Sequence, residues 1–158
     1  MSELRLLPMA VIDLDEVLAI EQRAHMAPWT QVQFTDSLDA GHWAYTLRVL
    51  GAEDAPDTLV GYCVLMPGVD EISLLNIAID PSQQRQGLAQ KILLVMEDQA
   101  LAKSLSKIFL EVRASNAPAI SLYQKMNYQQ VGIRKAYYPM HEGQREDALV
   151  MMKELVRA

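Results

Sequence analysis

Apolar and polar positions alternate along residues 42–50, where Trp43, Tyr45, Leu47 and Val49 recur every second residue; this spacing predicts a half-buried strand. Further apolar runs at 4–7 (closed by Pro8), 58–66, 71–79, 108–112, 128–138 and 147–155 predict six more strands. Helical spacing replaces alternation over 13–24, where Leu14, Val17, Leu18 and Ile20 form one face and Glu16, Glu21 and Arg23 lie on the other. A second helix is expected from Thr30, which with Gln33 matches a capping box, to a stop at Gly41. The amphipathic run 86–105 predicts a longer helix. Residues 116–125 predict a fourth, with Pro118 in its first turn and Asn127 placed to end it in a left-handed conformation.

The connections constrain how these elements join. Residues 51–57 and 67–70 are turn-like, so 42–50, 58–66 and 71–79 read as an antiparallel meander. A strand, the long helix and another strand then imply a parallel crossover that sets 74–79 beside 108–112. The polar stretch 139–146 joins the last two strands. Without internal repeats, low-complexity segments or linkers, the expectation is a single domain over 1–158. Its class is mixed α/β, a mostly antiparallel central sheet with one parallel pair and helices on both faces.

Composition narrows the function. Fourteen basic against twenty acidic side chains give a net charge of −6, which argues against general nucleic-acid binding and is compatible with a basic protein or peptide substrate. No apolar run approaches a membrane span and no signal-peptide layout opens the chain, so a cytoplasmic protein without membrane contact is expected. The single cysteine, Cys63, excludes an intramolecular disulfide and reads as a buried thiol. Three scattered histidines and no cysteine pair give no pattern for a metal, and no Gly-x-Ser-x-Gly is present.

The stretch with the most chemistry runs from Leu74 to Met96: an apolar strand, a turn opened by Asp80-Pro81, and a helix entered through Gln84-Arg85-Gln86-Gly87-Leu88-Ala89. The first amides of a helix lack intrahelical partners and the macrodipole adds positive potential there, so this turn is a ready anion site. Gly87 and Ala89 leave the backbone open to a diphosphate, and Arg85 can add a charge-assisted contact. Equally, a Gly and an Ala at a helix start serve close packing. No Gly-Lys-Ser/Thr follows, which disfavours nucleotide hydrolysis.

Taken together, several segments resemble the Gcn5-related N-acetyltransferase (GNAT) superfamily, and within it the bacterial ribosomal-protein alanine N-acetyltransferases of the RimI type. They are Glu21-Gln22-Arg23-Ala24-His25 with Pro28-Trp29, Asn76 to Pro81, Gln84 to Ala89, Leu110 to Asn116, Leu122-Tyr123 and Tyr137-Tyr138-Pro139. The resemblance implies the GNAT fold with a splayed parallel strand pair, and direct transfer of acetyl from acetyl-CoA to the α-amine of a small-subunit ribosomal protein. It implies that Gln84, Arg85, Gln86, Gly87, Leu88 and Ala89 hold the cofactor's pyrophosphate. Ile77, Ala78 and Ile79 would pair through their backbone with the pantetheine arm and polarise the thioester carbonyl.

By the same resemblance Glu111 is the general base, Tyr123 the general acid and Asn116 a cofactor contact. Pro28, Trp29, Tyr137 and Tyr138 would flank the acceptor in an aromatic slot with few charges. From the residues alone, Glu111 could equally pair with Arg113 or solvent, Tyr123 could be core, Asn116 a helix cap, and the aromatic residues ordinary core and strand positions. Ala136 stands before the tyrosine pair where the family commonly has a polar residue.

Overall fold

The computed structural model describes residues 3–156, so the ends of the 1–158 expectation lie outside the described residues. The chain runs β1 (Leu4–Pro8), α1 (Leu14–Ala24), α2 (Gln31–Asp39), β2 (Trp43–Val49), β3 (Thr58–Pro67), β4 (Glu71–Ile79), α3 (Leu88–Ala102), β5 (Lys107–Arg113), α4 (Ala117–Lys125), β6 (Gln129–Pro139) and β7 (Arg145–Glu154). Short 3-10 turns at Val11–Asp13, Pro81–Gln83 and His141–Gly143 complete it. The fold is α/β with a mixed seven-stranded sheet.

Two compact units divide the chain: Met1–Met66 with Asn76–Leu93, and Pro67–Leu75 with Leu94–Ala158. In the first unit β1 pairs antiparallel with β2 and β2 with β3, a bulge falling between Leu47 and Arg48. At Gly61 on β3 a Cβ would come within 2.8 Å of Ala78 O, so the two strands approach more closely than any side chain permits. In the second unit β4 pairs parallel with β5, β5 antiparallel with β7, and β7 antiparallel with β6. The parallel register runs only from Glu71↔Lys107 to Leu74↔Leu110. Of the residues expected opposite 108–112, the register therefore includes Leu74 alone.

Local chemistry sets the helix ends. Thr30 Oγ1 accepts from Gln33 N–H at 3.3 Å while Gln33 Oε1 accepts from Thr30 N–H at 2.8 Å, the reciprocal capping box. Gly41 (φ +78°) and Asn127 (φ +73°) turn the chain left-handed just after α2 and α4. Asn116 Oδ1 accepts from Ala119 N–H at 3.2 Å and caps α4, with proline in the first turn. The long helix starts two residues later than its apolar pattern suggests, because Pro81–Gln83 and the turn after it use the preceding residues, and ends three earlier, just before Ser104 turns left-handed (φ +62°).

Burial corrects one expectation. Glu21, placed by helical spacing on the polar side of α1, is 1% exposed. Cys63 is buried and free as expected, its thiol pushed up to about 12 by burial, opposed by a backbone hydrogen bond at Tyr45.

Candidate active site

The turn between β4 and α3 is built by an acid and its partners. Asp80 Oδ1 accepts from Ser82 N–H and Ser82 Oγ, both at 3.0 Å, and Arg23 reaches the carboxylate with two nitrogens at 3.2 and 3.1 Å. Burial works to raise the Asp80 carboxyl, but these donors outweigh it and hold the group below its ordinary range. Gln84 Nε2 donates to Ile79 O at 3.3 Å, folding the turn back onto the end of β4. Arg85 (φ +68°) and Gly87 (φ +74°) are both left-handed, and a Cβ added at Gly87 would meet nothing within 4 Å.

Residues 84–87 are exposed, Leu88 is buried and Ala89 half-buried, so the α3 N-terminus opens outward behind an apolar anchor. Among the described residues Arg85 makes no ion pair. Open space over Gly87, free helix-start amides and an unpaired guanidinium fit a diphosphate.

In the same unit lies a buried network that helical spacing missed. Glu21 Oε1 accepts from Tyr62 hydroxyl at 2.7 Å and from Asn76 Nδ2 at 2.9 Å, and Oε2 accepts from Trp29 N–H at 2.9 Å. Since the carboxylate only accepts, Asn76 turns its Oδ1 to His25 Nε2 at 3.1 Å, which places a proton on that nitrogen. Burial first, then the Glu21 charge, pushes the Tyr62 phenol well up. Glu21 thus ties the loop carrying Pro28 and Trp29 to β3 and to Asn76, the residue before Ile77. Trp29 packs on Phe34 (ring centroids 5.1 Å apart), and Phe34 meets Tyr62 edge-on at 5.8 Å. Pro28 is exposed and Trp29 half-buried.

The second unit gathers Glu111, Tyr123, Tyr137 and Tyr138. Glu111, on β5, pairs with Arg134 (Nε to Oε1, 2.7 Å) rather than with Arg113. Arg113 instead binds Glu146 Oε1 at 3.0 Å and Pro139 O at 2.9 Å, and its guanidinium stacks 4.6 Å from the Tyr138 ring centre. Tyr137 and Tyr138 meet edge-on with centroids 5.0 Å apart, and Arg134 lies 5.4 Å from the Tyr137 ring centre. The tyrosine pair is therefore flanked by Arg113, Arg134, Glu111 and Glu146, more charge than the expected slot with few charges.

Burial, reinforced by Glu111, raises the phenols of both tyrosines, that of Tyr138 to about 12 against the opposing pull of Arg113. Tyr123 is 6% exposed and stacks on Tyr128 at 5.7 Å. Burial, with Tyr138 nearby, raises its phenol to about 12. Its hydroxyl has no hydrogen-bond partner among the described residues, so a protonated donor remains uncommitted. Asn116 is exposed, with its Oδ1 engaged in the cap and its amide nitrogen left over.

Among the described residues no group of three or more His, Cys, Asp or Glu could hold a metal ion. No helix among them is long and apolar enough to cross a membrane.

A helix-start anion turn, together with a carboxylate and an uncommitted phenol that both neighbour Tyr138, fits an acyltransferase of the acetyl-CoA class. The chain belongs to the acetyltransferase (GNAT) family, whose model matches residues 14–128. It is similar to the [ribosomal protein bS18]-alanine N-acetyltransferases of Haemophilus ducreyi (36% identical, 88% of this chain and 92% of the relative) and Escherichia coli K12 (37%, 88% and 89%). The crystal structure of the Escherichia coli ribosomal-protein-S18-alanine N-acetyltransferase matches with a TM-score of 0.85 at 33% identity, covering 99% of this chain and 96% of that one. Ard1 from Thermoplasma volcanium shares the fold (TM-score 0.84, 20% identity, 98% and 99% covered).

Proposed function

We propose that the protein transfers the acetyl group of acetyl-CoA to the N-terminal α-amine of a small-subunit ribosomal protein, with the alanine of bS18 as acceptor. The observation that carries the chemistry is that, in the second unit, Tyr138 neighbours both the Glu111 carboxylate and the raised, unpartnered phenol of Tyr123. The acceptor is supported by the names of relatives that share most of the chain. The family model runs through segments of both units, which supports one acetyltransferase domain over 1–158. The acidic charge and the relatives' ribosomal acceptor support a cytoplasmic enzyme acting on protein, with no direct nucleic-acid or membrane partner.

Acetyl-CoA supplies a thioester, and this chain supplies the groups around it. Residues Gln84, Arg85, Gln86, Gly87, Leu88 and Ala89 hold the pyrophosphate, Asn116 adds a contact, and the backbone of Ile77, Ala78 and Ile79 holds the pantetheine arm and polarises the carbonyl. Glu111 takes the proton of the acceptor's ammonium, directly or through water; an α-amine ionises at about 7.7–8.0, so modest basicity suffices. The amine nitrogen bonds to the carbonyl carbon, the carbon–sulfur bond breaks and Tyr123 protonates the departing thiolate; the acetylated nitrogen sheds its second proton to solvent, from which the phenol is restored. Pro28, Trp29, Tyr137 and Tyr138 flank the acceptor.

The test is thiol release from acetyl-CoA with a peptide that starts with alanine. Release is expected with the free N-terminus and absent when it is blocked. Background release with intact CoA binding would instead mean a non-catalytic acyl-CoA-binding module.

A further inference from the structure

Glu111 already carries a cation. Arg134 Nε stands 2.7 Å from its Oε1, and the Tyr137 phenol is close enough to the same carboxylate to feel its charge. In a regular strand, residues 134 and 137 would face opposite sides of the sheet, because side chains alternate. A bulge brings them to one place. The β6–β7 register passes from Arg134↔Ala148 to Tyr138↔Glu146, so Lys135, Ala136 and Tyr137 oppose Asp147 alone. Ala136 is left-handed there (φ +48°), with its N–H donating to Asp147 Oδ1 at 2.9 Å. Arg145 clamps the carbonyls of Ala136 and Tyr137 at 2.9 and 2.8 Å. The convergence of Arg134 and Tyr137 on Glu111 is therefore built in.

The pair is nevertheless easy to open. The Arg134 side chain is 58% exposed and Glu111 26%, so solvent reaches the pair and weakens it. The guanidinium also lies 5.4 Å from the Tyr137 ring centre, a cation–π contact it can keep when the carboxylate is taken. An α-ammonium has the same charge and donates hydrogen bonds, so it can replace Arg134 without leaving Glu111 uncompensated. We propose that Arg134 is a displaceable counter-ion that occupies Glu111 until the acceptor's α-ammonium takes its place, making an unblocked cationic amine the group the site admits. This rests on Glu111 being the acceptor's base.

Steady-state kinetics with an alanine-starting peptide, across a salt series, test it in the wild type, Arg134→Gln, Arg134→Lys and Glu111→Gln. Removing the competitor in Arg134→Gln lowers the acceptor KM by about two- to five-fold, with the acetyl-CoA KM unchanged and Arg134→Lys like the wild type. Added salt raises the acceptor KM more steeply in Arg134→Gln, because the wild type exchanges one ion pair for another. An acceptor KM that is unchanged or raised in Arg134→Gln overturns the proposal. Undiminished transfer in Glu111→Gln refutes the assignment of the base itself, whatever the Arg134 variants show.

Discussion

The Glu21 carboxylate accepts the backbone N–H of Trp29 at 2.9 Å, so an acid inside α1 holds a loop eight residues further on. With Tyr62 and Asn76 it forms a fully donated, solvent-free carboxylate. Truncation leaves those donors without an acceptor, each costing about 1–3 kcal/mol. Glu21→Ala is expected to lower unfolding stability by about 3 kcal/mol or more, and Glu21→Gln by less because one acceptor remains. The denaturant midpoint at constant m-value measures both. Equal losses would mean that volume, and not hydrogen bonding, fixes the loop.

At Gly87 the space a Cβ would fill is empty, yet the backbone is left-handed. Gly87→Ala therefore costs only about 1–2 kcal/mol of folding stability, the left-handed penalty. A diphosphate resting on this turn would meet the new methyl group. Acetyl-CoA affinity is expected to fall about tenfold or more, equivalent to 1.4 kcal/mol per decade. Calorimetric titration reads this directly, and an unchanged affinity would move the pyrophosphate elsewhere.

Tyr123 gives two predictions from one group. Tyr123→Phe should lower kcat by about 10²-fold or more, the usual range for a lost general acid, with acetyl-CoA binding nearly intact. The folded phenol ionises at about 12, above an unfolded value near 10. A raised value stabilises the fold fully below pH 10, and that contribution is lost as pH rises through 10 to 12. Between those limits Tyr123→Phe should lose up to about 2–3 kcal/mol less stability than the wild type. Parallel unfolding curves at pH 9 and 11.5 provide the comparison.

Ala136 carries the left-handed conformation of the β6 bulge without being glycine. Ala136→Gly is expected to stabilise the protein by roughly 0.5–1 kcal/mol, and Ala136→Val to destabilise it. Thermal unfolding measures both. Loss of stability in the glycine variant would show that unfolded-state entropy outweighs the strain.

Features set by near neighbours were legible in the sequence: the Thr30–Gln33 capping box, the Gly41 and Asn127 helix ends and the Asn116 cap all lie within a few residues of what they bind. So was the turn from Gln84 to Ala89, a strand end feeding a helix start. Glu21 was not legible, because helical spacing ranks it as polar while its partners Tyr62 and Asn76 lie 41 and 55 residues away. Nor was the pairing of Glu111 with Arg134, which requires the β5, β7 and β6 registers together with an extra bend at Ala136. The sequence marked this bend only by Ala136, where the resemblance led us to expect a polar residue. Its meaning emerged only with the bulge.

Mass-spectrometric location of the acetyl group on a peptide bearing the bS18 N-terminus and internal lysines tests the central claim most directly. Acetyl on the alanine α-nitrogen, lost in Glu111→Gln, is the predicted result. Acetyl found on lysine, or on the α-nitrogen at an undiminished rate in Glu111→Gln, would contradict the account.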